Sequence, residues 1–99
     1  MAKYDVYPNP SGAGYLLDVQ ADLLDGLNTR VVVPLFDIAQ APKPAKYLNP
    51  VFDVNGEHVV MMTQFMASVP SSILTTSVAR LPNQFAEITN ALDMVFQGF

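Results

Sequence analysis

The sequence predicts a mainly β domain with one C-terminal α-helix, and three observations lead to this prediction. Short runs rich in β-branched and aromatic residues, separated by Pro- and Gly-rich segments, occupy the first two-thirds of the chain. Asn55-Gly56 lies between two such runs and is the preferred pair for a two-residue hairpin turn. From Asn83 onward, apolar residues recur at the three- and four-residue steps of a helix. We expect residues 1–99 to form a single domain.

Two strands are predicted at the start of the chain. Residues 3–7 alternate in polarity, with Tyr4 and Val6 on one face. Residues 8–14 form a loop, because Pro, Gly, Asn and Ser dominate them. Residues 15–20 then form a second strand that pairs back on the first.

A central strand is predicted over residues 29–33. Its three consecutive valines suit burial on both faces of a sheet, and Pro34 is expected to end it. Residues 36–46 are too rich in Ala and Pro for a strand, so we expect a short helical turn followed by a loop there.

The hairpin turn predicts a register as well as a fold. Asn55 and Gly56 both need a positive φ, and the turn then pairs Val54 with Glu57 and Asp53 with His58. One face of the hairpin is therefore apolar: Phe52, Val54, Val59 and Met61. This apolar run is expected to continue to a break at Pro70, after which residues 71–81 are ambiguous and an extended piece is favoured.

The C-terminal helix is predicted to have two distinct stripes, and Pro82, Asn83 and Gly98 fit its two ends. The apolar stripe, expected to face the core, is Phe85, Ile88, Leu92, Val95 and Phe99. The second stripe, expected to face solvent or a partner, is Ala86, Asn90, Asp93 and Gln97. In a chain of this size, antiparallel strands closed by one helix predict an SH3-like β-barrel.

Composition indicates a partner and disfavours nucleic acid. The chain is 51% hydrophobic and only 14% charged, against about 25% charged residues in a typical soluble domain. Some apolar surface therefore has to be covered, and a homodimer covers it most simply. The net charge is −4 and the five basic residues are scattered, so we expect no direct contact with nucleic acid.

No reactive constellation emerges from the sequence. The single histidine, His58, is interpreted as an exposed cross-strand partner of Asp53 and not as a general base. The acidic residues Asp18, Asp22 and Asp25 are interpreted as solvating a strand end. There is no cysteine, no nucleophile elbow and no phosphate-binding glycine motif. We therefore predict a protein that is not an enzyme and has no cofactor or metal.

Two apolar features leave alternatives open. Met61, Met62 and Met66 with Phe65 fill the core or line an interface. The final residue, Phe99, either caps the core or forms a recognition tip. No apolar run follows Lys3 and no stretch is long enough to cross a membrane, so we expect no signal peptide, no membrane contact and a cytoplasmic location.

Three segments resemble the CcdB family of bacterial toxins, and their order and spacing cover nearly the whole chain. These segments are DVQADLLDGLNTRVVVPL (18–35), VVMMTQFMASVP (59–70) and ITNALDMVFQGF (88–99). The resemblance implies a homodimer with an SH3-like barrel, a small extra sheet and a C-terminal helix. It also implies a toxin of a type II toxin–antitoxin system that binds the A subunit of DNA gyrase and traps the enzyme on cleaved DNA. A CcdA-type antitoxin neutralises such toxins, and the pair represses its own operon through DNA contacts made mainly by the antitoxin.

The resemblance further implies which residues bind gyrase. Gly98 matches the family pattern, and Phe99 replaces an aliphatic residue. Gln97 stands where the best-known pattern has tryptophan, and Asp93 where it has asparagine. Leu23 takes the place of an isoleucine near the centre of the dimer. The expected gyrase-binding residues are thus Leu23, Asp93, Gln97, Gly98 and Phe99.

Two other functions stay open at this point. Endoribonuclease toxins of the MazF and Kid type share the barrel, but RNA cleavage needs cationic groups together with an acid and a base. The other alternative is a relative that has lost toxicity and only binds the antitoxin. This alternative is considered because Gln97 replaces the tryptophan of the family pattern. The acidic, scattered charge pattern disfavours the endoribonuclease.

Overall fold

The computed structural model describes residues 1–98, which form seven β-strands and one α-helix. The strands are β1 (Asp5–Pro8), β2 (Tyr15–Asp18), β3 (Thr29–Asp37), β4 (Val51–Val54), β5 (Glu57–Met61), β6 (Ala67–Pro70) and β7 (Ala79–Arg80). The helix α1 spans Phe85–Gln97. Short 3-10 turns occupy Asp22–Leu24, Thr63–Phe65, Ser71–Ile73 and Pro82–Gln84.

All seven strands join one antiparallel sheet in the order β4-β5-β3-β2-β1-β7, with β6 as a branch on β3. The first half of β3 pairs with β6 and the second half with β5, so the sheet divides along its longest strand. The sheet curls until its two edges approach each other, where Asn55 Nδ2 donates to the Val78 carbonyl at 3.2 Å. A mainly β fold, with a nearly closed barrel and a single C-terminal helix, is therefore confirmed.

The central strand is longer than the sequence predicted, because Pro34 does not end it. Proline removes a ladder hydrogen bond only on the side that its N–H would face. On that side the Pro34 carbonyl accepts from the Met62 N–H at 2.9 Å. This is where β3 changes partner, from β6 after Val32 to β5 at Leu35. The missing N–H of Pro34 therefore falls at a gap between two ladders, and the strand continues to Asp37.

Both faces of β3 contribute to the interior, as the valine run predicted, and the structure shows the same for β1 and β2. Val6, Leu17 and Val33 belong to the main core beneath α1 and the β4–β5 hairpin. Their chain neighbours lie on the opposite face, because side chains alternate along a strand. There they form a second cluster with the segment after β6: Tyr7, Leu16, Val32 and Leu74.

The hairpin is confirmed in turn and register. Asn55 and Gly56 have φ of 52° and 85°, and Asp53 pairs with His58. The predicted apolar face of Phe52, Val54, Val59 and Met61 lies in the main core. The expectation that this run extends to Pro70 is wrong: β5 ends at Met61, a 3-10 turn follows, and β6 starts at Ala67.

The C-terminal helix is confirmed, but its buried side differs from the predicted stripe. Ile88 and Ala91 are fully buried, whereas Phe85 is 58% exposed. Gly98 ends the helix in the left-handed region, with φ of 82°, and its N–H donates to the Met94 carbonyl at 3.1 Å. No helix within residues 1–98 has the length and apolar character that crossing a membrane requires.

Candidate functional site

The last turn of α1 extends past the core. Ala91 is the last fully buried residue of the helix, and Leu92 still packs against the main core. Asp93 and Met94 are half-buried, so only residues 95–97 of the helix, about 4.5 Å at about 1.5 Å per residue, are exposed beyond the packed interior. Apolar residues continue along this projecting part, which explains why Val95 is exposed although it lies on the predicted apolar stripe.

One flank of α1 is apolar, and both of its aromatic rings are largely exposed within residues 1–98. Phe85 and Phe96 are eleven positions apart, about three helical turns, and therefore lie on the same side of the helix. Phe96 is 71% exposed, and Leu92 lies half-buried between the two rings. Phe96 was missed in the sequence, although its spacing of eleven residues from Phe85 places the two rings on one side of a helix. We call Phe85, Leu92 and Phe96 the apolar flank.

Next to the apolar flank lies the polar face that the sequence predicted. Asp93 and Gln97 are four residues apart and share one side of α1. Gln97 and Gly98 are exposed, and Asp93 is half-buried. The structure therefore brings these three predicted site residues together. The predicted site residue Phe99 lies outside the described residues.

Leu23, the remaining predicted site residue, occupies a different element. It lies on the 22–24 turn and is 94% exposed, with Leu24 and Leu27 also exposed nearby. Among residues 1–98 of one protomer, this turn makes no extensive contact with α1. Gln20 fixes the turn from below: its Nε2 donates to the Leu24 carbonyl, and its Oε1 accepts from the Val31 N–H.

A buried ion pair lies beneath this turn, and it corrects the expectation that Asp18 solvates a strand end. Asp18 is fully buried and accepts from Arg30 Nε at 2.9 Å, while Asp25 accepts from Arg30 Nη1 at 3.0 Å. Burial raises the pKa of Asp18 above its ordinary value, and the hydrogen bond from Arg30 opposes that rise. Asp22 accepts from the Lys3 N–H at 2.8 Å. The acidic residues therefore hold the turn and are not free surface charges.

The methionine run has a mixed role. Met61 and Met62 are buried in the interior, whereas Met66 is half-buried against the main core. Phe65 is half-exposed, with its ring centroid 6.3 Å from that of Phe36. Core filling is therefore confirmed for Met61 and Met62, and the interface alternative stays a prediction for Phe65 and Met66.

Neither arginine is available as a free surface cation. Arg30 is buried in the ion pair with Asp18, and Arg80 Nε donates to Asp5 at 2.8 Å. His58 lies opposite Asp53 on the hairpin, and both side chains are exposed as predicted. Within residues 1–98, no three His, Asp or Glu side chains are grouped to hold a metal ion.

Two of the cavities formed by residues 1–98 bear on the site. One, of about 410 Å³, lies at the projecting end of α1 and is lined by Tyr47, Asn90, Met94 and Gly98. The other, of about 350 Å³, is bordered by Phe36, Asp37 and Glu57 among others. In the second cavity the Tyr15 hydroxyl donates to Glu57 at 2.8 Å, and this hydrogen bond raises the pKa of Tyr15. Tyr47 was not predicted from the sequence, where a lone Tyr in a Pro- and Lys-rich loop gives no signal.

The fold and the family of the chain follow from two comparisons. A solved structure described as an endoribonuclease from Mycobacterial species superposes with a TM-score of 0.78 over 97% of this chain and 90% of that chain. Only 15% of residues are identical, so this likeness bears on the fold alone. The family model described as CcdB protein matches residues 3–98. The chain therefore belongs to the CcdB family, whose members are toxins of toxin–antitoxin modules.

Proposed function

We propose that this protein is a gyrase-directed toxin that acts by binding alone. A homodimer grips the A subunit of DNA gyrase with the ends of its two helices and traps the enzyme on cleaved DNA. A CcdA-type antitoxin neutralises it. The observation that carries this proposal is the projecting end of α1, where Gln97 and Gly98 are exposed beside the polar face of the helix.

Dimer formation is supported by the apolar flank. Phe85 and Phe96 are large rings that are exposed over most of their surface. Burying them in an interface removes apolar surface from water and therefore favours association. A twofold axis beside α1 would bury both copies of this flank with one self-complementary contact. The neighbouring polar faces of the two helices would then form one continuous surface.

Binding without catalysis fits the charges of the molecule. A dimer carries −8, twice the −4 of each chain, which opposes direct capture of a phosphate backbone. The contact with cleaved DNA is therefore assigned to gyrase, and the toxin holds the protein. Asp93, Gln97, Gly98 and Phe99 supply the contacts of the helix end, and Leu23 contributes from its separate turn.

The test combines binding and DNA cleavage. Purified protein is incubated with gyrase and supercoiled plasmid, and linear DNA released by detergent and protease is quantified. We expect linear DNA with the natural chain and none with a chain that lacks residues 97–99. Asp53→Asn, an exposed carboxylate of the hairpin, serves as a control that leaves the yield unchanged. Absence of both a gyrase complex and linear DNA with the natural chain would refute the proposal.

An endoribonuclease remains the second candidate, because the superposed structure is described as one. The buried Arg30 and paired Arg80 leave few cations for an RNA backbone, which disfavours it. Incubation of purified protein with RNA decides between the two. Site-specific cleavage that copurifies with the protein would replace gyrase binding as its activity.

A non-toxic relative that only binds the antitoxin is distinguished by one substitution. Gln97→Trp restores the aromatic residue of the family pattern at an exposed position. A rise in gyrase poisoning from an undetectable level would show that the natural chain has lost the activity. A natural chain that already poisons gyrase excludes this alternative.

A further inference from the structure

The cavity at the end of α1 is partly formed by an aromatic side chain from another element. Tyr47 belongs to the loop between β3 and β4, and it lines the cavity together with Asn90, Met94 and Gly98 of the helix end. Its side chain is 63% exposed. None of the four lining residues carries a charge, so the cavity suits an uncharged, largely apolar group.

The loop holds Tyr47 in an unusual backbone conformation. Its φ is 68°, in the left-handed region that residues with a Cβ rarely adopt. Asn49 closes the loop around it, because the Asn49 N–H donates to the Ala45 carbonyl and Asn49 Oδ1 accepts from the Ala45 N–H, both at 3.0 Å. Strained residues that are held this firmly cluster at binding and catalytic sites.

The same asparagine fixes the loop to the base on which α1 packs. Asn49 is buried, and its Nδ2 donates to the Met61 carbonyl at 3.0 Å and to Gln64 Oε1 at 2.8 Å. The Thr63 hydroxyl donates to the Leu48 carbonyl. The 63–65 turn in turn packs against α1. The loop and the helix α1 therefore both contact the 63–65 turn, and the hydrogen bonds to this turn hold the backbone of the loop around Tyr47 before any partner binds.

We propose that Tyr47 is an aromatic anchor of the gyrase-binding surface, and that an apolar segment of the gyrase A subunit enters the cavity beside it. This inference rests on the function proposed above. It is argued from continuity: Asn90 shares the polar face with Asp93 and Gln97, and Gly98 belongs to both the cavity and the proposed contact surface. Gln97 lacks a ring, and Tyr47 supplies one from the adjacent loop.

Energetic considerations favour tyrosine in this role. Tyrosine is enriched among the few interface residues that dominate affinity, since it offers a large contact area with few rotatable bonds. Lys46 Nζ lies 5.0 Å from the centroid of the Tyr47 ring, which further restricts the ring before binding. A positioned ring loses less entropy on association than a mobile one.

The experiment measures the gyrase affinity of three Tyr47 variants. Tyr47→Ala removes the ring, Tyr47→Phe keeps it, and Tyr47→Gly removes it while relieving the left-handed φ. We expect Kd to rise at least about thirtyfold for the Ala and Gly variants and to change less than about threefold for Phe. Ile38→Ala, an exposed apolar truncation on the turn after β3, is the matched control and leaves Kd unchanged.

The outcomes separate this inference from the proposed function. If the natural chain binds no gyrase, the proposed function fails and the inference falls with it. If the natural chain binds gyrase and Tyr47→Gly binds within threefold, only the inference is overturned. The inference is also overturned if Tyr47→Gly dissociates the dimer in sedimentation velocity, because the cavity then serves a second copy. It is likewise overturned if Tyr47→Gly loses antitoxin binding while its gyrase affinity is intact, because the cavity then serves the antitoxin.

Discussion

Arg30 and Asp18 form an ion pair from which solvent is almost wholly excluded. Arg30 Nε donates to Asp18 at 2.9 Å, and its Nη2 lies 2.6 Å from the same carboxylate oxygen. The pair lies beneath the exposed turn that carries Leu23, and Asp25 extends it to the surface. A buried pair adds little net stability, yet removing one partner leaves an uncompensated charge.

Arg30→Met is therefore expected to be strongly destabilising. It leaves the Asp18 carboxylate buried without its cation, and the free energy of unfolding falls by about 3–5 kcal/mol. Urea denaturation at neutral pH measures the change. Arg80→Met, which removes a half-exposed arginine paired with Asp5, is the control and costs about 1 kcal/mol or less. If the two variants lose the same free energy of unfolding, the burial of the Arg30–Asp18 pair does not determine the cost of breaking it.

Stability is expected to depend on the titration of Asp18. Because burial raises its pKa, the folded state retains a proton at pH values where the unfolded chain has lost it. This contribution to stability is complete below the unfolded pKa and is lost as the pH rises through the folded pKa. Asp18→Asn lacks the titration, so the stability of the natural chain relative to this variant falls as the pH rises from the acidic range, where both states are protonated, towards neutrality. Urea denaturation of both proteins across this pH range measures the difference in their free energies of unfolding. If the natural chain instead gains stability over Asp18→Asn as the pH rises, the attraction of Arg30 for the carboxylate outweighs the effect of burial on its pKa.

Gly14→Ala is expected to disturb the start of β2. A Cβ at Gly14 would lie 2.6 Å from the Leu35 carbonyl oxygen, and its φ of 90° is already strained for any other residue. We expect a loss of about 1–3 kcal/mol in unfolding free energy. Gly26→Ala is the matched control, since a Cβ there meets no atom within 4 Å. Thermal unfolding of both variants measures the contrast, which would be absent if the 8–14 loop shifts freely.

Phe96→Ser is expected to weaken self-association. It removes the most exposed ring of the apolar flank, so the dimer dissociation constant rises at least tenfold, equivalent to about 1.4 kcal/mol. Sedimentation equilibrium over a range of concentrations measures it. Val51→Ser, which truncates an exposed apolar residue on β4, leaves the constant unchanged. A natural chain that sediments as a monomer would remove the basis of this prediction.

Local patterns in the sequence predicted those parts of the molecule that local chemistry determines. The Asn55-Gly56 pair was sufficient for the hairpin and its register, because both positions require a positive φ. The helix and its Gly98 end followed from periodicity and from the conformational freedom of glycine. The order of these elements in a chain of this size predicted the barrel that joins them, and the family resemblance implied the same fold.

Features that depend on distant neighbours were not predictable in the same way. Pro34 continues a strand only because β3 changes partners beside it. Asp18 is buried in an ion pair with Arg30, which comes twelve positions later in the chain. Tyr47 reaches the site through hydrogen bonds from Asn49 to a segment more than ten residues away. In each case the decisive contact is tertiary, and composition gives no sign of it.

The seam between β4 and β7 has a consequence for the integrity of the sheet. Here a side-chain amide, Asn55 to the Val78 carbonyl, stands in place of a backbone ladder. Among residues 1–98, no backbone ladder joins these two edges, so opening the seam breaks no strand pairing. Unpaired strand edges recruit other chains into fibrous aggregates. We expect Asn55, at the tip of the hairpin, to hold the two edges together and thereby to limit such aggregation.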